Sequence, residues 1–561
     1  MLFITAVSGF CQDNVKHGLL FLDDCQYHKA QSSFLAQLKT APQDSRIYCY
    51  LGDAYLGLNL LDSAKTMYQK ALELDSKSPF PVIGFGKLAL QKGDRMGKVE
   101  FFDKARKMDR KNPEVYNEIA KGCLGLSKTD TATANNYLKQ GFELDAKYAR
   151  LHITYGDYEA AGERFGNAIN AYERALFFDP TLAIAHRKLG QLHSFARSYR
   201  DAINSFTKSI EMNKDQILAY KNLGDLYYSR GRYIEAEKNY EIYLSKADVS
   251  YDDKERYAII LFFNKKYSES ANLLEEVMKH NSDESVLLRI RGYIAYETGD
   301  YVKGLEYMAK FFKLHDPSRN LSSDHVYYGR LLQKNGKDTL AIDNYLKALA
   351  LDSTKTELHE DLAKLYSGNK MHVKAADRYK RMIANGADKV NSWFQIGKEY
   401  YFEGDINRTK YDSLMGLQKG KKIQFIDSTS VNETTQLYFQ KADSAFTTVT
   451  ILNPNYAPGF YWKGRVQSFL DPQAENTIGK EAYEKAATLL LSDEVKNRTR
   501  ILECYRYLVS YYYLNSEKFL KTDKAKSEAF KNNMIDYFRK ILAIDPNDKQ
   551  ALEVFSKLKI K

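Results

Sequence analysis

The chain has 561 residues, 44% of them apolar, and 83 basic against 72 acidic side chains give a formal charge of +11. That apolar share excludes a disordered chain, and charges mixed along the sequence, with no basic block, argue against nucleic acid as a partner. Tyr (43) and Phe (29) are abundant while Pro (10) and Trp (2) are scarce, a composition suited to many short helices packed through aromatic rings.

The first dozen residues, MLFITAVSGFCQ, form a short apolar run ending in small residues, with Gly9 and Cys11 three and one places before Gln12. This resembles the second half of a secretory signal peptide and makes residues 1–11 a candidate cleaved segment of an exported protein, periplasmic or outer-membrane-associated. The basic stretch that usually precedes such a run is missing, so the alternative is the apolar start of a first helix in a cytoplasmic protein. Phe10 before Cys11 speaks against a lipid anchor, and no later run approaches the roughly 18 apolar residues of a membrane span. The cysteines, Cys11, Cys25, Cys49, Cys123 and Cys504, lack metal-ligand spacing. The last four are expected as small buried packing residues, a Cys25–Cys49 disulfide being the open alternative.

From there a segment recurs: KTMYQKALELDSKSP at 65–79, INAYERALFFDPTLA at 169–183 and IDNYLKALALDSTKT at 342–356. About twenty residues upstream of each shared ALxLD or its equivalent lies a glycine-bearing partner, as in YLGDAYLGL (50–58), KLGQLHSF (188–195) and NLGDLYYS (222–229). Successive units are 34 residues apart through much of the chain. A fixed period of this length is the signature of a helical-hairpin array, in which each unit buries its apolar face on the next. Small residues are needed where the two helices of a hairpin cross closely, aromatics fill the wedge between hairpins, and Pro or Ser ends the second helix.

The residues carrying this pattern resemble the tetratricopeptide repeat family. In the second unit they are Gly52, Tyr55, Ala64, Tyr68 and Ala71, with Ser76 where proline is usual; in the first, Gly18, Phe21, Ala30, Phe34 and Pro42, with Gln37 in place of the second alanine. Gly224, Tyr227, Ala236 and Tyr240 mark the seventh unit, and Gly329, Ala341, Tyr345 and Ala348 the tenth. The twelfth has Trp393, Gly397 and Tyr400 and closes with Ala442, Phe446 and Pro454. The resemblance implies an all-α, right-handed superhelical solenoid of about 13–14 helix-turn-helix units. It divides the chain into the leader-like 1–11, an N-terminal array over 12–250, a central array over 251–402, an insertion loop at 403–435 within the twelfth unit, and divergent units with a capping helix over 436–561.

Departures from the period fall at 124–135 and 315–324, both expected as longer turns, and at the 403–435 insert, where Lys419, Lys421 and Lys422 precede a short β-prone run. Insertions in repeat arrays emerge on one face, often the binding face, which makes these lysines a candidate contact; a polar surface loop is the alternative. Nearer the C-terminus, 465–476 carries a longer turn, 501–515 has no motif glycine, and Lys557, Lys559 and Lys561 lie along a final helix expected to cap the array.

Motifs of catalysis are absent: no HExxH, no GxxxxGK[ST], no GxSxG. His186 and His193 fall on packing positions of one helix, and the acid pairs Asp23-Asp24 and Asp252-Asp253 fall at helix ends, where solvated carboxylates are favourable. No catalytic residue, metal site or cofactor is expected. What remains is the inner wall, formed by the first helix of each unit. One place after the motif glycine, units ten to thirteen hold Arg330, Lys364, Lys398 and Arg465, with Phe394 and Tyr461 four residues before the last two. Such a row suits an acidic peptide or a terminal carboxylate through charge-assisted hydrogen bonds, the plain alternative being a solvated face neutralised by Glu357 and Glu360. The carboxylate clamp known in some family members would fall on Arg187, Gln191, Asn222, Asp252 and Arg256; with the charge reversed at Asp252, it is expected to be absent. The sequence thus points to a non-catalytic scaffold for protein or peptide partners in envelope assembly, secretion or surface-polysaccharide processes, with a cytoplasmic co-chaperone or adaptor, and an enzyme with a site hidden in the groove, as alternatives.

Overall fold

A computed structural model describes residues 15–125, 130–280, 284–418 and 428–558; the leader-like segment 1–11 and Lys419, Lys421 and Lys422 lie outside them. Among the described residues every regular element is a helix. The chain divides into two compact units, Met1–Thr298 and Gly299–Lys561, a division that coincides with neither of the array boundaries drawn from the sequence.

The first unit is a run of hairpins. Their helices are α1 (15–23) and α2 (Tyr27–Leu38), α3 (Ser45–Gly57) and α4 (Leu61–Leu74), α5 (Pro79–Lys92) and α6 (Arg95–Met108), and α7 (Pro113–Leu124) and α8 (Thr131–Leu144). They continue with α9 (Ala149–Ala161) and α10 (Phe165–Phe178), α11 (Ala183–Phe195) and α12 (Tyr199–Met212), α13 (Ile217–Ser229) and α14 (Tyr233–Lys246), and α15 (Tyr251–Phe263) and α16 (Tyr267–Met278), ending with α17 (Glu284–Thr298). The second unit comprises α18 (Tyr301–Leu314), α19 (Ser322–Lys334) and α20 (Asp338–Leu351), α21 (Leu358–Gly368) and α22 (His372–Ala384), α23 (Lys389–Gln418) and α24 (Ser428–Leu452), α25 (Ala457–Leu470) and α26 (Ile478–Leu490), α27 (Glu494–Phe519) and α28 (Lys524–Ile544), and α29 (Lys549–Leu558). Within each hairpin the helices pack on one another. First helices also pack on first helices of the next hairpin (α3 on α5, α5 on α7, α7 on α9, α11 on α13, and α23 on α25), so they form the inner wall.

Two positional rules hold the hairpins. A Cβ on Gly190 would stand 2.6 Å from the ring of Phe206, and one on Gly329 would stand 2.6 Å from Tyr345. No real Cβ sits that close, so a larger residue here would push the helices apart. The aromatic partner lies 16 residues after its glycine in these hairpins, as it does for Gly52 with Tyr68 and Gly224 with Tyr240. Second, the seventh residue after the motif glycine has a left-handed backbone, for example Asn59, Glu163, Arg197, Gly231 and Gly336. That one residue reverses the chain between helices: after α3, the Asn59 and Leu60 N–H groups bond back to the Leu56 and Tyr55 carbonyls at 3.0 and 2.9 Å.

The same rules account for the irregular hairpins. Gly464 meets Tyr483 after 19 residues, matching the longer turn expected there, and the left-handed residue moves correspondingly to Ala474. Gly397 meets Phe446 after 49 residues, so the additional chain lies between two helices whose packing contact is kept. The insertion loop is corrected: 403–418 extends α23 and 428–435 begins α24, so the insert lengthens the hairpin. Gly404 against the ring of Phe439 carries the close crossing along this extension. The junction at 315–324 holds a short 3-10 turn, Pro317–Arg319. At the end, Asp548 starts α29 by accepting from the Ala551 N–H at 2.9 Å and from Arg506 at 2.8 Å, and Lys557 pairs with Glu553.

Cys49, Cys123 and Cys504 are buried packing residues as expected, whereas Cys25 is exposed, because it occupies the left-handed turn between α1 and α2. All four are free thiols, so Cys25 and Cys49 form no disulfide.

Candidate protein-interaction site

The row expected from the sequence falls on successive first helices of the second unit, and its members differ in what they meet. Arg330, on α19, is half-buried near Asp361, whose carboxyl is raised by burial and only partly brought down by this cation. Lys364, on α21, is exposed and pairs with Glu360 at 2.6 Å, four residues before it on the same helix. This pair is the neutralised, solvated arrangement weighed as the plain alternative, and an exposed pair of this kind contributes little. Lys398, on α23, is half-buried and has no hydrogen bond or ion pair among the described residues. Arg465, on α25, lies over three rings, 5.0 Å from the centre of Trp462, 5.4 Å from Tyr401 and 6.0 Å from Tyr461. Its Nε is 3.4 Å from Glu503 Oε1.

The aromatic shelves need correction. Phe394 is buried in the core against Phe446 and Tyr456 (ring centres at 5.8 and 5.4 Å), because it packs beneath the wall between two hairpins. Tyr461 is also buried, and its hydroxyl donates to Glu503 Oε2 at 2.5 Å. The rings that Arg465 meets besides Tyr461 are Tyr401 and Trp462, which sequence reasoning missed although Trp462 lies three residues before Arg465 on its helix. The arrangement is a cation set among aromatic rings and a glutamate, with a second cation on the preceding first helix that has no partner among the described residues.

In the first unit the same position after the glycine reads Asp53, Lys87, Lys121 and Asp157, and this wall is an ion ladder. Lys87 bonds both Asp53 oxygens at 3.0 and 3.2 Å and lies 3.7 Å from Glu118; Lys188 bonds Asp157 at 2.6 Å. Tyr68 and Tyr172 donate to Asp53 and Asp157 at 2.8 and 2.7 Å, tying the wall to the second helices. A cavity of about 320 Å³ lies along it, bounded by Asp53, Lys87, Lys121 and Lys188 and, on the other side, by Leu22, Asp23 and Tyr27 of the first hairpin.

The acid pair Asp23-Asp24 is therefore not solvated, as the sequence suggested. Lys121 bonds Asp23 at 2.5 Å, and Asp24, 3% exposed, faces Arg187 at 3.3 Å. Burial works against the charge on Asp23, but Lys121, with Arg150 and Lys188, outweighs it and holds the carboxyl below its ordinary value. For Asp24 burial prevails over Arg187 and the carboxyl is raised. Among the clamp-equivalent positions, Arg187 thus holds a carboxylate of the chain itself, Gln191 bonds Asn222 at 3.3 Å, and Arg256 lies over Tyr228. Asp253 caps α15 with Ser250 as its position suggested, yet it is buried and paired with Lys221.

Two buried histidines are engaged within the fold. His152 bonds the Ala146 carbonyl at 2.8 Å, and His372 meets Glu399 at 2.6 Å in a buried pair. No group of three metal-ligating side chains occurs among the described residues, nor does any helix long and apolar enough to cross a membrane.

Tetratricopeptide-repeat family models match residues 45–78 and 187–250. Among solved structures, the chain is similar to the C-terminal part of a tetratricopeptide-repeat protein from Cytophaga hutchinsonii, at 23% identity over 53% of this chain and 98% of that one, with a TM-score of 0.35. It is similar also to the tetratricopeptide-repeat domain of P58(IPK), at 15% identity over 70% and 98% with a TM-score of 0.30, and to PilF of Pseudomonas aeruginosa, at 16% over 42% and 92% with a TM-score of 0.28. No curated protein matches the sequence. With family models on two stretches and the glycine-to-aromatic crossing repeated from hairpin to hairpin, the chain carries tetratricopeptide repeats, modules that generally serve as scaffolds for protein–protein interaction.

Proposed function

We propose that this protein is a non-catalytic scaffold that holds an acidic protein or peptide segment on the inner wall of its second unit. The observation that carries the reading is the succession of Lys398, which has no partner among the described residues, and Arg465, set among Trp462, Tyr401 and Tyr461. Rings attract a guanidinium without consuming its in-plane N–H donors, so with Nε facing Glu503 the terminal N–H groups of Arg465 remain suited to contact with a carboxylate, and the ammonium on the preceding first helix adds a second point of attraction. Arg330 and Lys364, already engaged by Asp361 and Glu360, steer more than they hold.

The partner works in the cell envelope, in assembly, secretion or surface-polysaccharide handling. This placement rests on the apolar run ending at Cys11 and is tested by fusing the N-terminal segment to an export reporter; retention in the cytoplasm refutes it. The binding reading is tested by affinity capture from envelope extract with the wild type and with Lys364→Glu, Lys398→Glu and Arg465→Glu combined. The expected result is a captured protein that disappears with the reversed row while helicity is unchanged. Equal capture by both would refute it.

A further inference from the structure

The first hairpin makes contacts far outside its neighbourhood. His17 Nε2 is 3.0 Å from Asp215, Gln26 accepts from the Asp248 N–H, and the Lys29 N–H donates to Asp248 at 3.1 Å. Phe21 packs against the apolar cluster that includes Ile217 and Tyr220. Between these lie the two acids: Asp23 on Lys121, and Asp24 on Arg187, on the Gln216 amide at 2.8 Å and on the Leu218 N–H at 3.3 Å. The partners between Asp215 and Asp248 are 192 to 222 residues away in sequence, so within the first unit the array curls until its seventh hairpin meets its first. The contact has the chemistry of a peptide in a groove: an aromatic anchor, then two carboxylates two and three places later, each met by a cation.

The seat is not fully used by its occupant. Arg187, 4% exposed, and Gln216, fully buried, keep their Nε and Oε1 atoms without a hydrogen-bond partner among the described residues, and the Arg187 Nη2 lies 3.3 Å from Asp24. A buried donor and acceptor left unmatched cost free energy that a better-fitting ligand would recover. Glutamate is one methylene longer than aspartate, and a carboxylate that engages the guanidinium edge through two oxygens binds it more strongly than one that meets a single nitrogen.

We propose that this seat is a second recognition site of the protein, for an acidic segment of a partner protein with the pattern aromatic, any residue, acid, acid, and that Phe21 to Asp24 fill it in cis until such a segment displaces them. Because the internal segment is tethered, it competes at an effective concentration on the order of millimolar, so the site is masked in the free protein. The site lies within the first unit and is independent of the row on the second.

The probe is a fluorescein-labelled peptide of residues 17–30 carrying Ser in place of Cys25, with a second version bearing Glu in place of Asp24. Anisotropy is read with the full chain as wild type, as Phe21→Ala/Asp24→Ala, and as that double variant with Arg187→Ala. Binding at least tenfold tighter to the double variant than to the wild type, lost on adding Arg187→Ala and tighter for the Glu peptide, is expected. In the wild type, excess peptide should also speed amide exchange across residues 22–29. No binding to a double variant of normal helicity would overturn the proposal, the contact then being a structural clasp only. Should the double variant fail to fold, unchanged exchange across 22–29 in the wild type at millimolar peptide would overturn it equally.

Discussion

Excising residues 403–435 tests whether the hairpin rules are sufficient to define a unit. The cut returns the separation of Gly397 and Phe446 from 49 residues to the 16 of the regular hairpins, and it brings Leu437 to the seventh place after the glycine, where the backbone must be left-handed. A branched side chain there costs about 1–2 kcal/mol relative to glycine. The lost contacts of the extension, Gly404 with Phe439 and Arg408 over Phe469, cost about 1–2 kcal/mol more in both versions. Denaturant titrations of the excised chain with Leu437 and with Leu437→Gly should show cooperative unfolding in both, with the glycine version the more stable by about 1–2 kcal/mol. Far-UV circular dichroism should fall only by the helix of 403–418 and 428–435. An unfolded glycine version, or equal stability of the two, would refute the rules.

Gly190→Ala should destabilise by about 1–3 kcal/mol through the clash with Phe206, and adding Phe206→Leu should return part of that loss in a double-mutant cycle. Lys87→Met should cost about 2–4 kcal/mol by leaving Asp53 without its cation and Glu118 with only Lys121 and Arg46, and less when Asp53→Asn accompanies it. The Arg506 hydrogen bond, helped by the Ala551 N–H, holds the Asp548 carboxyl below its ordinary value of 3.8 against burial. Its contribution is therefore present above that value and lost as pH falls through the lower folded one, so amide exchange in α29 should rise selectively below about pH 4; no change there would contradict the cap. Burial pushes the thiols of Cys49, Cys123 and Cys504 up to about 12. In the native chain these three should resist a thiol reagent that labels Cys25 rapidly, and react after unfolding.

Much of the fold was legible because the repeat encodes contacts between neighbours: Gly52 and Tyr68, or Gly329 and Tyr345, specify a crossing at a fixed separation. The reversing residue was not, since Cys25, Glu163, Arg197 and Lys265 carry no turn signature and are held left-handed by the helices on either side. The insert read as a loop because its polar composition hides the continuation of α23 and α24. On the second unit the cations were visible but their partners were not: Glu503 reaches Arg465 from a later hairpin, and Phe394 turns beneath the wall. The clasp of Asp23 and Asp24 depends on the curl accumulated over six hairpins, which no local pattern states.

Lys398 and Arg465 are proposed to hold a partner's acidic segment. The most direct test is the anisotropy of a fluorescein-labelled hexaglutamate peptide titrated at low salt with the wild type, with Lys398→Glu/Arg465→Glu, and with Lys347→Glu/Lys380→Glu, a control of equal charge on exposed second helices. A loss of affinity of about tenfold or more, some 1.4 kcal/mol, is expected for the first variant, with little change for the control. Equal affinities for the wild type and the first variant, or equal losses in the two variants, would contradict the proposal.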